Sequence, residues 1–315
     1  MKTILSFRSN LTGIFRLLIL RAAIVIRTAS AEHPIEFLDE PLPSALAERS
    51  RPVVCWTEKH TTPRPLVLHI MRIDASNSLV QLAAAVAPDP DGPGPAQSAL
   101  THPLALAASN GLCAAVNANA FAGPRDPAGK ENRNWLPGLP VTLLGWAQSG
   151  SRLVSQPRDA YWSVWVSPDR SPHVGNPSTP MPATDAVAGF GGLILDGRIL
   201  PGEQPGREEP LHPRTAIGVD RGGRYLFLLV ADGRWEGYSE GMTTRELAVK
   251  MSELGCWSAA NMDGGGSSIM IAADETCVLR IINKPSDRGL FGSSTPRPVP
   301  TLIGVRIKGL APKLP

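Results

Sequence analysis

The sequence is poor in the residues that build metal and redox sites. It has 4 cysteines, none in a Cys-x-x-Cys pair, and 6 histidines scattered over 315 residues. Structural zinc sites and dithiol redox centres need cysteines or histidines at close spacing. Metal-ion catalysis needs clustered His, Asp or Glu ligands. We therefore expect neither a bound metal nor another cofactor.

The first 31 residues contain no acidic side chain but five basic ones. The rest of the chain has 26 basic and 28 acidic residues, so its near-neutral balance argues against a nucleic-acid partner. The basic start, the apolar stretch 13–20 and the small residues 29–31 are typical of a signal peptide. We predict a signal peptide over 1–31 and export to the periplasm, cell envelope or medium. An uncleaved amphipathic anchor is the alternative, and we expect no stable membrane span.

Export would place the four cysteines in oxidising surroundings. Cys55, Cys113, Cys256 and Cys277 form an even set, so two disulfides are predicted and three connectivities are open. Four buried free thiols are the alternative, since free cysteine packs well in cores.

No fixed-period repeat is visible, which excludes solenoids and propellers. The composition, 43% hydrophobic and 19% charged, is that of a globular protein. With 30 glycines and 31 prolines, the chain favours short strands and ordered loops over long helices. We predict a poorly regular, proline-rich lead-in over 32–65, a single domain over 66–308 and a tail over 309–315. The oligomeric state stays open.

Apolar runs separated by turn residues predict hairpins within that domain. The expected strand pairs are 66–73 with 79–86, 193–195 with 198–200, 216–219 with 225–231, and 269–272 with 278–282. A capping box at Thr243 and Glu246 begins the clearest helix, in which Glu246 is a cap rather than a catalyst. The predicted fold class is α+β, with a mixed, largely antiparallel sheet of short strands and hairpins, a few helices and an active pocket at strand ends.

The most specific stretch is 261–268, in which Asn261 and Asp263 precede three glycines and two serines. Glycines in a row let backbone N–H groups converge on one small volume that suits an anion. Gly264, Gly265, Gly266 and Ser267 are therefore candidate substrate-binding residues, with Asn261 offering an amide beside them. A glycine-rich turn whose aspartate bonds its own backbone is the alternative.

Two further stretches carry candidate site residues. The hairpin 216–231 brings Arg214 near Asp232, and the arginine fork matches two phosphate oxygens. A salt bridge between Arg214 and Asp232 would explain the same residues. Asn117 and Asn119 lie among small residues after an apolar run and could bind a ligand or hold a turn.

Several motifs follow one another in the order found in the phosphodiester glycosidase family, which this chain resembles over 66–308. They are 117–121, Pro-Arg-Thr-Ala-Ile-Gly at 213–218, Val-Ala-Asp-Gly-Arg at 230–234, the helix start at 246, Asn-Met-Asp-Gly-Gly-Gly-Ser-Ser at 261–268 and Asn-Lys-Pro-Ser-Asp at 283–287. The resemblance implies hydrolysis of a glycosyl C1–O bond to phosphate in a small or polymeric sugar phosphodiester.

The roles that follow from this resemblance fit the residues. Asp263 and Asp232 would be the two carboxylates that glycoside cleavage uses. Asp263, stabilised as a carboxylate by glycine N–H groups, would be the nucleophile or base, and Asp232 the acid or orienting partner. Arg214 and 264–267 would hold phosphate, and Asn117 and Asn119 the sugar. A metal-dependent phosphodiesterase and a noncatalytic envelope glycan-binding protein are the alternatives.

Overall fold

The structure is a computed structural model, and it describes residues 33–39, 51–201 and 209–315. The predicted signal peptide and residues 40–50 of the lead-in lie outside the described residues. The expected export and leader cleavage therefore stay predictions.

The described chain consists mainly of short strands. In chain order, the first group is β1 (Ile35–Leu38), β2 (Val53–His60), β3 (Leu66–Asp74), β4 (Val80–Val86), β5 (Ser98–Ala99), β6 (Ala114–Asn117), β7 (Phe121–Ala122), β8 (Pro140–Leu143), β9 (Ala147–Ser149), β10 (Arg152–Ser155), β11 (Trp162–Val166) and β12 (Pro172–Gly175). The second group is β13 (Asp185–Gly189), β14 (Gly191–Leu195), β15 (Arg198–Ile199), β16 (Arg214–Asp220), β17 (Tyr225–Ala231), β18 (Cys256–Asn261), β19 (Met270–Ala273), β20 (Leu279–Ile281), β21 (Asp287–Arg288), β22 (Ser294–Thr295) and β23 (Thr301–Ile307). The α-helices of the described residues are α1 (Pro103–Ser109) and α2 (Thr244–Glu253), and short 3₁₀ turns occupy Gly265–Ser267 and Leu290–Gly292.

Two large sheets organise these strands. The first has eight strands in the order β1-β2-β3-β17-β16-β18-β14-β15, and the second has five in the order β20-β19-β6-β23-β4. Another five-stranded sheet, β10-β9-β13-β11-β12, and two small sheets complete the described fold. Within the described chain, β1 and β2 form a parallel strand pair, whereas the pairs that build the centre of both large sheets are antiparallel. The prediction of a largely antiparallel fold of short strands with few helices is confirmed.

The main core lies between the two large sheets. Ile217 and Leu228 of the eight-stranded sheet share one apolar cluster with Val116 and Ile303 of the five-stranded sheet, and all four are fully buried. Each such side chain stabilises the fold by about 1.5–3 kcal/mol through removal from water. This packing fixes the strand ends that carry the polar motifs.

Helix α2 covers the other face of the eight-stranded sheet. Its capping box is present, with Thr243 Oγ1 accepting from the Glu246 N–H at 3.1 Å and Glu246 Oε2 accepting from the Thr243 N–H at 2.9 Å. Leu247 and Met251 are fully buried against that face. The prediction that Glu246 is a cap is confirmed.

The hairpins predicted for β14–β15, β16–β17 and β19–β20 are confirmed. The expected pairing of 66–73 with 79–86 is wrong, because β3 pairs with β2 and β17 whereas β4 crosses to the other large sheet and pairs with β23. The lead-in is also more regular than predicted. Its residues 53–60 form strand β2, which pairs with β3 along eight positions because its apolar side chains are buried on both faces.

All four cysteines lie in the described residues, and all four are free thiols. The predicted disulfides are absent from the structure. Cys55 packs in the core between the large sheets, whereas Cys256 packs on the face covered by α2, so the sheet separates them. Burial raises the pKa of the Cys55 thiol to about 12.

Candidate functional site

The polar motifs converge around the 3₁₀ turn Gly265–Ser267. Strand β18 leads into Asp263, β17 leads into Asp232, and β6 of the other large sheet ends at Asn117. The antiparallel order places these ends together, because β18 and β17 both flank β16. The local sequence fits this arrangement, since buried apolar strands deliver polar residues at their ends.

Asn117 connects the two large sheets to the glycine turn. Its Oδ1 accepts from Thr215 Oγ1 at 2.8 Å and from the Ile269 N–H at 3.0 Å. Its Nδ2 donates to the backbone oxygen of Asp263 at 2.7 Å. With the side chain buried and these contacts made, Asn117 positions Asp263.

Asn119 is held differently. Its Nδ2 donates to the backbone oxygens of Leu144 and Trp146 at 3.1 and 3.0 Å, whereas its buried Oδ1 has no hydrogen-bond partner among the described residues. A buried acceptor without a donor costs about 1–3 kcal/mol. Asn119 was predicted to bind substrate, and this open acceptor is compatible with that role.

Asp232 is enclosed by donors. Its carboxylate accepts from His69 Nε2 at 3.0 Å, Tyr238 Oη at 3.1 Å, Asn283 Nδ2 at 3.2 Å and the Lys284 N–H at 3.0 Å. The side chain is 0% exposed. His69 is thus the basic side chain that hydrogen-bonds Asp232, in place of the Arg214 of the alternative sequence interpretation.

The donors around Asp232 are themselves fixed. Burial, followed by the neighbouring Asp232 charge, raises the pKa of Tyr238, so the phenol stays protonated and can donate. Thr57 Oγ1 lies 3.1 Å from His69 Nδ1, the ring nitrogen that faces away from Asp232. The result is a rigid polar chain from Thr57 to Tyr238.

Asp263 has a contrasting environment. Burial raises the pKa of its carboxyl to about 6, and the Ser267 hydroxyl, the positive charge of Arg297 and the Gly264 N–H offset this rise in part. The expectation that glycine N–H groups would keep this carboxylate unusually stable is wrong in direction, because loss of solvation outweighs them. A carboxyl with such a pKa can exchange protons near neutral pH.

The glycine turn is more closed than the sequence indicated. The Gly265 N–H donates to the Pro213 oxygen at 2.9 Å, and the Ser267 N–H donates to the Gly264 oxygen at 3.2 Å. Gly265 has φ +61°, which favours glycine, and a Cβ on Gly266 would lie 2.1 Å from Arg297 Nη2. The glycines therefore permit close approach of arginine side chains.

Asn283 connects Asp232 to this turn. Its Nδ2 donates both to Asp232 Oδ1 and to the backbone oxygen of Ser268, each at 3.2 Å. Ser268 follows Ser267, which faces Asp263. The structure thus places both predicted catalytic aspartates around one turn.

Arg214 and Asn261 make contacts on the helix side of the sheet. Arg214 Nε donates to the Met242 oxygen at 3.0 Å, and its Nη2 donates to the Pro210 oxygen at 3.3 Å. Asn261 is buried and lines a cavity of about 310 Å³ together with Thr244 of α2. The phosphate role of Arg214 stays a prediction.

Several residues around the turn were not singled out from the sequence. His69 carries no local signal, since only the register of β3 with β17 places it beside Asp232. Arg234 and Lys284 lie within the motifs 230–234 and 283–287, so their positions next to named polar residues were the available signal. Arg297 contacts the turn from a distant loop and forms an ion pair with Asp287 at 2.8 Å.

Among the described residues, no group of three or more His, Cys, Asp or Glu side chains is arranged to hold a metal ion. In that same part of the chain, no helix is long and apolar enough to cross a membrane.

Comparisons with known proteins identify a family and a shared fold. Residues 110–306 match the family model of the phosphodiester glycosidases. A search of curated protein sequences finds no match.

Two solved structures share the fold. The first is the catalytic domain of zebrafish N-acetylglucosamine-1-phosphodiester alpha-N-acetylglucosaminidase, auto-inhibited by its pro-peptide, with 17% identity, a TM-score of 0.56 and coverage of 81% of this chain and 82% of that one. The second is an exported-protein candidate from Burkholderia pseudomallei K96243, with 15% identity, a TM-score of 0.52 and coverage of 76% and 74%. With the family match spanning most of the described domain, the chain belongs to the phosphodiester glycosidase family of hydrolases.

Proposed function

We propose that this enzyme hydrolyses the glycosyl C1–O bond to phosphate in a sugar phosphodiester, releasing the sugar and a phosphomonoester. One observation carries the proposal within the family: Asp263, whose pKa is raised to about 6, lies at a turn that Arg234 and Arg297 contact. A carboxylate and cations at one turn suit an acetal carbon bonded to an anionic leaving group.

Asp263 acts in its ionised form in this proposal. A phosphomonoester is a good leaving group, so protonation of the departing oxygen matters less than charge neutralisation. The carboxylate then either attacks C1 or removes a proton from the attacking water, the two ways in which glycosidases use it. A pKa of about 6 leaves Asp263 mostly ionised at neutral pH while keeping it a stronger base than an ordinary aspartate.

Asp232 is the orienting partner in this proposal. Four hydrogen-bond donors and full burial support that role over proton donation to substrate. Through Asn283, the Asp232 carboxylate fixes the backbone at Ser268 and hence the turn that carries Asp263.

The sugar and phosphate contacts complete the proposal. Asn119, whose Oδ1 has no hydrogen-bond partner among the described residues, is the candidate for a sugar hydroxyl. Asn117 holds the backbone of Asp263, and Asn261 lines the cavity beside α2. On the phosphate side, the sequence pointed to Arg214 and the backbone of 264–267, and the structure adds Arg234 and Arg297 at the glycine turn. The zebrafish relative is named for an N-acetylglucosamine-1-phosphodiester, so that sugar is the first to test.

The test is hydrolysis in oxygen-18 water. Label in the sugar is expected, because attack at C1 breaks the C–O bond. Label in the phosphomonoester would instead indicate P–O cleavage by a phosphodiesterase. Tight binding without turnover would favour a noncatalytic glycan-binding protein.

We also propose that the protein is exported, on the basis of its basic, then apolar, then small-residue N-terminal sequence. Expression in a bacterium and N-terminal sequencing of the secreted or periplasmic form should give a chain that begins at Glu32. A chain that begins at Met1 would contradict cleavage.

A further inference from the structure

Two arginines contact the glycine turn, and they differ in their charge partners. Arg297 donates to both oxygens of Asp287, at 2.8 and 2.9 Å, and this pair packs against Gly266. Arg234 packs against Gly265, where an added Cβ would lie 3.1 Å from both Nη1 and Nη2. In the described part of the chain, Arg234 has no carboxylate partner within ion-pair distance.

The backbone holds Arg234 in an unusual conformation. Its φ of +63° lies in the left-handed region, which an arginine adopts at a cost of about 1 kcal/mol or more. The next residues form a tight turn in which the Trp235 N–H donates to the Ser239 oxygen at 3.0 Å. Arg288 Nη2 also donates to the Arg234 oxygen at 3.4 Å. The surrounding contacts thus maintain a strained residue whose side chain points at the glycine turn.

His212 supports the guanidinium from the other side. Arg234 Nη2 lies 3.4 Å from His212 Nδ1, and arginine can only donate, so this nitrogen accepts. Burial, then the charges of Arg234 and Arg214, lower the pKa of His212. The neutral ring therefore carries its proton on Nε2 and offers a second donor beside the guanidinium.

The remaining cations at this surface rest on aromatic rings. Lys284 Nζ lies 4.0 Å from the centre of the Trp235 ring and 4.6 Å from that of Tyr238, and the Arg288 guanidinium lies 4.4 Å from Trp235. Lys284 and Arg288 therefore add to the positive potential around Arg234.

Arg214, the arginine that the sequence favoured for phosphate, is committed elsewhere. Its Nε and Nη2 donate to the backbone oxygens of Met242 and Pro210. The Nε and one Nη are the atoms that form one bidentate edge of an arginine fork. That edge of Arg214 is used within the protein, whereas Arg234 is exposed.

We propose that Arg234, seated on Gly265 and steadied by His212, recognises the phosphodiester: its guanidinium binds the two non-bridging phosphate oxygens and makes the enzyme prefer glycosyl phosphodiesters to uncharged glycosides. This inference rests on the proposed function of the same site. It assigns the discrimination between anionic and neutral substrates to Arg234 and leaves Arg214 a positioning residue that holds the loop before β16 through its carbonyl contacts.

The test compares Arg234→Gln and Arg234→Lys with the unmodified full chain on two substrates, an alkyl glycosyl phosphodiester and the 4-nitrophenyl glycoside of the same sugar. For the diester, kcat/KM should fall on the order of 100-fold with Gln and 10-fold with Lys, which keeps the charge but loses the fork. For the uncharged glycoside it should change less than about threefold, since no phosphate is bound. Arg214→Lys should lower kcat/KM by similar factors for the two substrates.

Arg280→Gln is the matched control, because Arg280 is an exposed arginine paired with Asp274 on another surface. The Arg280→Gln variant should have the same kcat/KM as the unmodified protein on both substrates. Equal losses on both substrates with the Arg234 variants, or a diester-selective loss with Arg214→Lys alone, would overturn the assignment to Arg234.

Binding of inorganic phosphate, measured by isothermal titration calorimetry, keeps this inference separate from the proposed function. If the unmodified enzyme cleaves no sugar phosphodiester, the proposed function fails, yet loss of phosphate binding in Arg234→Gln but not in Arg280→Gln would still support the phosphate seat. Phosphate binding that is unchanged in Arg234→Gln, or absent from the unmodified protein, would overturn it. Circular dichroism melting of each variant checks that the fold is retained.

Discussion

At the scale of single residues, surroundings separate two aspartates that have similar sequence contexts. Asp232 and Asp263 each follow an apolar strand and precede a glycine. Asp232 gains four donors on burial, whereas burial raises the pKa of Asp263 to about 6 because too few donors replace the lost water. The sequence indicates both carboxylates, but it does not show how many hydrogen-bond donors replace water around each one in the folded protein.

The first prediction concerns the pH dependence of catalysis. If Asp263 acts as nucleophile or base, kcat/KM should rise with pH and level off above an inflection near 6, since the folded enzyme must lose that proton. A profile from pH 4.5 to 8 on the phosphodiester measures this. Activity that falls as pH rises through 6 would instead make Asp263 the acid.

The second prediction links the same pKa to stability. The ordinary pKa of aspartate is 3.8 and the folded value is about 6, so between these values the folded state binds more protons than the unfolded state. Stability should therefore fall as pH rises through this window, by about 1–3 kcal/mol, and Asp263→Asn should abolish the fall. Urea unfolding of both proteins from pH 3.5 to 7.5 measures the difference.

Asp274→Asn is the control of opposite sign. Thr276 and other donors hold the pKa of Asp274 below its ordinary range, so its contribution is present above pH 3.8 and is lost as pH falls. The Asn variant at 274 should lose stability at neutral pH, whereas the Asn variant at 263 should gain it. If the free energy of unfolding depends on pH equally in Asp263→Asn and in the unmodified protein, the pKa of Asp263 is not raised by folding.

At the scale of elements, local signals predict hairpins well and predict distant pairing poorly. The turns between β16 and β17 and between β14 and β15 are short, and each hairpin lies where its turn residues indicate. Strands β3 and β4 are also neighbours in sequence, but they belong to different sheets. Because both strands are mainly apolar and buried along most of their length, their patterns do not indicate which neighbouring strand each one pairs with.

The third prediction tests how the turn is packed. Gly266→Ala would place a methyl group 2.1 Å from Arg297 Nη2 and from Asp287 Oδ1, so the ion pair must move away from the turn. We expect at least about tenfold lower kcat/KM and about 1–3 kcal/mol lower stability. Steady-state kinetics and chemical unfolding measure the two effects.

Gly222→Ala serves as the comparison, because the new methyl would lie at an ordinary 3.5 Å from Asp220 Oδ2. That variant should differ little from the unmodified protein. If the two variants have the same kcat/KM and the same stability, close packing is not the reason for a glycine at position 266.

At the scale of the whole molecule, the fold includes residues that looked like a lead-in. Strand β2 extends the eight-stranded sheet beyond β3, and Val54 on it is fully buried. Proline and charged residues around this strand masked its apolar run in the sequence. The domain that carries the candidate site therefore begins before residue 66.

The fourth prediction follows from that strand. Val54→Asp would bury a charge among apolar side chains at a cost of several kcal/mol, so we expect little soluble, folded protein. Lys59→Asp on the same strand is exposed and should fold normally. Soluble yield and circular dichroism melting compare the two, and a stable Val54→Asp variant would mean that the fold does not depend on β2.

The side-chain amide of Asn117 couples the position of Asp263 to the packing of the two large sheets. It accepts from Thr215 in one sheet, belongs to a strand of the other, and holds the backbone of Asp263. If the two sheets separated by about an ångström or two, these hydrogen bonds would break and the backbone of Asp263 would be released. On heating, catalysis should therefore be lost at a lower temperature than the strands unfold. The turnover rate would then report a separation of the sheets that circular dichroism does not yet detect.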